Sequence, residues 1–171
     1  MLRPKRIGWF AAFLGALVVF ASSAQAADIG GTIASTLTIT QDSQLVDDVT
    51  CTVSGAACIA FGASNITLEL NGFSITGLGD SETGCAGMGA ANEFGIDVTG
   101  QQHVVIRGPG LVQRFRNHGI RLNNSTGDNI TGVAVSTNCF SGIFVTGGSE
   151  HVLENNVSVR NGNLANPCGG I

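Results

Sequence analysis

Three residues recur at one position of a spaced pattern and could act together. Asp97, Arg121 and Phe144 each occupy the third place of a Gly-Ile-x-(Val/Leu) unit: Gly95-Ile96-Asp97-Val98, Gly119-Ile120-Arg121-Leu122 and Gly142-Ile143-Phe144-Val145. A carboxylate, a guanidinium and an aromatic ring on neighbouring strands offer hydrogen bonds and a flat apolar face, the ingredients of a sugar-binding groove. The plainer reading is an exposed ion pair worth under about 1 kcal/mol beside an incidental ring. Arg114, Arg116 and His118 cluster in the turn just ahead of the second unit, and Arg114 and His118 are added to the candidate ligand-binding residues. Other chemistry has less support. His103, His118 and His151 are the only histidines and show no metal-ligand spacing, so they read as surface or turn residues. Acidic residues gather in the glycine-rich stretch 78–93, where calcium is conceivable but no fixed ligand spacing exists. No cofactor is therefore expected.

The elements that would carry these residues follow from the same repeat. Its copies stand 24 and 23 residues apart, and Gly170-Ile171 opens a fourth in which the sequence stops. A period of this length, rich in β-branched residues and glycine, points to stacked repeats that bury their apolar faces only against neighbours. The predicted inward rows are Ile96/Ile120/Ile143, Val98/Leu122/Val145 and Ile106/Ile130/Leu153, with Leu111 and Val135 in another. Ile171 would extend the first row. Upstream, Ile66, Leu68 and Leu70 alternate with Asn65, Thr67 and Glu69 as in a half-buried strand, and Asn71-Gly72 marks a bend. The stretch from Ile33 to Val49 reads as the first strands. Asn124, Asn138, Asn155, Asn156 and Asn161 are expected in turns, where asparagine tolerates left-handed conformations. No long amphipathic helix is predicted in the exported part.

Residues 1–26 have the character of a bacterial secretory signal: Arg3, Lys5 and Arg6, an apolar run from Trp9 to Phe20, then Ala24-Gln25-Ala26. The expected organisation is a signal peptide at 1–26 and one domain at 27–171, secreted or periplasmic. The apolar run is short for a membrane span and no later segment could replace it, so stable membrane insertion of the mature chain is not expected. Beyond residue 26 the chain keeps five Arg and no Lys against twelve acidic residues. That balance argues against nucleic acid as a partner. Five cysteines in an exported chain suggest disulfides. Cys51 and Cys58, flanking Ser54-Gly55, are the expected pair. Cys139 and Cys168 could meet between repeats, and Cys85 could take either of them.

Two stretches carry a family resemblance. Ile66-Thr67-Leu68-Glu69-Leu70-Asn71-Gly72-Phe73-Ser74-Ile75-Thr76-Gly77 is similar to the first-coil stretch of many secreted right-handed parallel β-helices of the pectin-lyase-like superfamily. The Gly-Ile units, with Leu153-Glu154-Asn155-Asn156-Val157, resemble the coil repeats of that superfamily and of NosD-like periplasmic proteins. The resemblance spans residues 64–171. It implies an all-β solenoid of about four to five coils, incomplete at its C-terminal end, with an open edge there. The superfamily includes polysaccharide lyases, hydrolases, epimerases and adhesins. Asn117-His118-Gly119 is similar to the Gly-His-Gly of its hydrolases with Asn at the first place, but their accompanying carboxylate motifs are absent, and Asp47-Asp48 lies far away along the stack. Met88 is the only methionine after the signal, so copper delivery is not carried over from NosD. The expectation is an exported module that interacts with polysaccharide. The alternatives are an enzyme whose catalytic coils lie beyond residue 171 and a structural or adhesin-type surface protein.

Overall fold

The computed structural model describes residues 25–79, 85, 92–162 and 170–171. Most of the predicted signal segment, most of the acidic stretch 78–93, and Cys168 fall outside the described residues. The described chain is all-β, with thirteen strands in two sheets and parallel pairing throughout. One sheet takes β1 (Ala27–Ile33), β3 (Ser43–Cys51), β5 (Thr67–Glu69), β8 (Val105–Gln113), β10 (Asn129–Ser136) and β12 (Val152–Glu154) in that order. Alongside them, β6 (Ser74–Thr76) pairs with β3 and β8, and β13 (Val157–Val159) with β10. The other sheet holds β2 (Leu37–Ile39), β4 (Ile59–Phe61), β7 (Ile96–Thr99), β9 (Ile120–Asn123) and β11 (Ile143–Thr146).

The chain visits these sheets in alternation, so each repeat adds a strand to both. Equivalent residues of successive repeats then face each other in register. Leu37, Ile59, Ile96, Ile120 and Ile143 form one row, and the last four are fully buried. Val98 and Leu122 are likewise buried, whereas Val145, the third member of that predicted row, is 39 % exposed because no described strand covers β11. Ile106, Ile130 and Leu153 pair as expected.

Leu111 departs from the prediction. Its partner is Ala134, and Val112 is the residue that faces Val135. The strand β8 holds one residue more than β10 between Arg107 and Gly110, a bulge that shifts the register by one, so that Ile106 and Val112 of β8 line up with the inward Ile130 and Val135 of β10. A constant sequence offset cannot anticipate such a step.

Glycine in the repeat is required by close approach. A Cβ on Gly95 would stand 2.5 Å from the Gly119 carbonyl oxygen, and one on Gly119 would stand 2.7 Å from that of Gly142. Neither glycine has positive φ. The asparagines also divide into two uses. Asn124 and Asn155 are left-handed, as expected, but Asn138, Asn156 and Asn161 are not. These three bridge repeats instead: their side-chain amides donate to the Val112, Ile130 and Val135 carbonyls, and their side-chain oxygens accept the N–H groups of Phe115, Val133 and Asn138. Asn71 donates to the Leu45 carbonyl in the same way. All four amides reach back 26 residues. They satisfy backbone groups where the strands bend out of their ladders.

Two disulfides reinforce the stack. Cys51 pairs with Cys58, as the sequence suggests, and Cys85 pairs with Cys139, which resolves the open alternatives in favour of Cys85.

Candidate functional site

The strands β7, β9 and β11 lie side by side, so Asp97 faces Arg121 and Arg121 faces Phe144. Arg121 holds Asp97 with two hydrogen bonds, Nε to Oδ1 at 2.8 Å and Nη2 to Oδ2 at 2.9 Å. A third runs from Nη2 to Thr99 Oγ1 at 3.1 Å. The two charged side chains are only 20 % and 16 % exposed, which is less than an ordinary surface pair. A bidentate arginine–carboxylate contact fixes the plane of the guanidinium. That plane lies over Phe94, with Cζ 3.9 Å from the ring centroid.

His118 sits at the same repeat position as Phe94, each immediately before a Gly-Ile pair. Its ring stacks on Phe94 at 5.8 Å and 6°, and on Phe144 at 4.2 Å and 3°. Phe140 meets it edge-on at 5.7 Å. The result is a column of three parallel rings from successive repeats, with Arg121 against one side. Phe94 is buried, whereas His118, Phe140 and Phe144 are half-buried. Phe144 is therefore an integral part of this column.

Burial, and next the Arg121 charge, lower the His118 pKa from 6.5 to about 4. The imidazole is neutral at pH 7. Ser141 N–H donates to its Nδ1 at 3.1 Å, which places the ring proton on Nε2. In this state His118 can offer a hydrogen bond but has no free lone pair with which to remove a proton.

The other predicted cations separate. Arg116 Nη1 binds Glu93 Oε1 at 3.1 Å, and the same oxygen accepts Gly55 N–H. Glu93 is buried although its sequence context read as a loop. Arg114, left-handed at φ 59°, directs Nε to the Gly79 carbonyl and does not join the ring column. Its nearness to His118 in sequence does not carry into the stack, because Phe115 turns inward between the two arginines. The Asp47-Asp48 pair is structural: Asp48 Oδ1 accepts both Ser74 N–H and Ser74 Oγ–H.

Phe94, Phe140 and Thr99 complete the site and were not predicted. For Phe94 a signal existed, since it precedes Gly95 as His118 precedes Gly119. Among the described residues no group of three or more His, Cys, Asp or Glu side chains converges as a metal site. No helix among them is long and apolar enough to cross a membrane. His103 is exposed in a turn, but His151 departs from the expectation, with a side chain only 9 % exposed. Comparisons with protein-family models, curated proteins and solved structures find no match for this chain.

Proposed function

We propose that the chain is a right-handed parallel β-helix module of an exported protein of the cell envelope or extracellular space. In this reading its face at Phe144, His118 and Arg121 binds glycan. The alternating visits to two parallel sheets, with aliphatic rows in register, support the β-helix, and right-handed crossovers are the general rule for parallel strands. The two disulfides fit an oxidising compartment.

The ring column beside a locked guanidinium carries the glycan reading. A pyranose presents C–H groups on one face and hydroxyls at its rim. Stacked, partly exposed rings suit the face, while the neutral His118 and the remaining Arg121 donors suit the rim. Catalysis is less well supported. Arg116 and Arg121 are both paired with carboxylates, and His118 cannot serve as a base in its observed hydrogen bonding.

A glycan array followed by titration calorimetry tests this. A polysaccharide fragment should bind the mature protein, and Phe144→Ala should weaken it by about ten-fold, equivalent to about 1.4 kcal/mol. A blank array, or full affinity in Phe144→Ala, would remove the proposal.

A further inference from the structure

The two arginines that flank His118 in the chain are each matched by a carboxylate from the repeat before. Arg121 on β9 is held by Asp97, its register partner on β7. Arg116 is held by Glu93, which directly precedes Phe94 and has a side chain only 4 % exposed. The opposite sheet repeats the arrangement, with Arg107 bound to its register partner Glu69. Arg114 turns its Nε to the Gly79 carbonyl instead of the rings. The formal charges of Asp97, Arg121, Glu93 and Arg116 therefore cancel around the ring column.

The donors that remain are poorly placed for an anion. A guanidinium grips a ligand carboxylate best through two parallel N–H groups. Arg121 has committed its Nε–Nη2 edge to Asp97, and Nη2 donates to Thr99 Oγ1 as well. The Phe94 ring covers one face of the same group. Nη1 is left as a single donor nitrogen with the Asp97 carboxylate close behind it, which suits a hydroxyl better than a second carboxylate. His118 adds an uncharged donor, because burial and the Arg121 charge lower its pKa to about 4. At longer range, five Arg against twelve acidic residues after position 26 give the chain a negative potential that repels a polyanion.

We propose that the ligand of this face is an uncharged hexopyranosyl polysaccharide, and that the Asp97–Arg121 pair discriminates against uronic acids. The inference rests on the glycan reading of the ring column and specifies its substrate class. A neutral hexose and its uronic acid differ only at C6, where one carries a hydroxymethyl group and the other a carboxylate. Either can lay its C–H face on Phe144. Only the acid must give up the hydration of a charge, and it meets a cation already paired and a like charge at Asp97. The hydroxymethyl group can accept an N–H from Arg121 Nη1 or His118 Nε2 without either penalty.

The test is calorimetric titration of the mature protein with oligosaccharides matched in linkage and differing only at C6. One pair is a cello-oligosaccharide and its C6-oxidised glucuronate form; the other is an oligogalacturonate and its carboxyl-reduced form. In at least one pair the neutral member should bind at least about ten-fold more tightly than the acid. Its affinity should be unchanged between low and physiological salt. Asp97→Asn keeps an oxygen for Arg121 but releases the guanidinium charge, so it should narrow the gap by strengthening the acid. Thermal unfolding checks that this variant is folded, and the comparison in the unaltered protein does not depend on it. An acidic member that binds as tightly as its neutral partner, or a gap that persists in folded Asp97→Asn, would overturn the proposal and leave glycan binding standing. No binding by any member, together with a blank array, would remove both.

Discussion

His118 shows how a repeat position alters the chemistry of one side chain. An exposed histidine would gain a proton near pH 6.5, whereas this ring resists it until about 4. Between those values the unfolded chain binds the proton that the folded chain refuses, so the folded state gains stability as pH rises through the interval. Above about 6.5 the contribution is complete, and it is lost on acidification toward 4. The difference in urea midpoint between the original protein and His118→Phe should therefore change across pH 4.5–7 and level off above it. Parallel profiles would show that His118 contributes nothing to the pH dependence. Much of this site was legible in the sequence: the alignment of Asp97, Arg121 and Phe144 needed only the Gly-Ile register. The stacking did not follow from it, because His118 belongs to a different row and meets Phe144 through side-chain reach.

At the level of strands and their junctions, the Gly-Ile unit has two separate duties. Ile96, Ile120 and Ile143 fill the interior, while Gly95 and Gly119 let the next backbone approach and Gly142 makes room for the Ser158, Val135 and Asn161 side chains. Gly119→Ala places a methyl group 2.7 Å from both the Gly142 oxygen and Asn138 Nδ2, so the strand junction must move. The expected loss is about 1–3 kcal/mol in denaturant unfolding. An unchanged midpoint would show that the junction yields freely. Alternation and periodicity identify inward rows well where strands run straight, as at Ile66, Leu68 and Leu70, all buried. They fail at bends. The shift that replaces Leu111 with Val112 arises from one inserted residue, and the buried Asp128 reflects a backbone N–H in need of an acceptor.

Across the whole molecule, cross-links and spacing tie distant repeats together. Cys85–Cys139 closes 54 residues and Cys51–Cys58 only 7. Restriction of the unfolded chain then predicts a loss of about 4 kcal/mol for the paired Cys85→Ser and Cys139→Ser variant, against about 2 kcal/mol for the paired Cys51→Ser and Cys58→Ser variant. Equilibrium unfolding under non-reducing conditions measures both, and the reverse order would mean that native contacts outweigh loop closure. The asparagine bridges have a different consequence. Because four amides span an identical 26 residues, each acts as a gauge of the chain length behind it. Adding or deleting one residue within 113–137 displaces the Asn138 amide from the Val112 carbonyl. Thr67 and Val105 nevertheless remain partners across 38 residues, far more than the 24 separating Val105 from Asn129. Some intervals of this chain are thus metered and others are open to insertion, so new loops can be acquired between β6 and β7 without resetting the strands on either side.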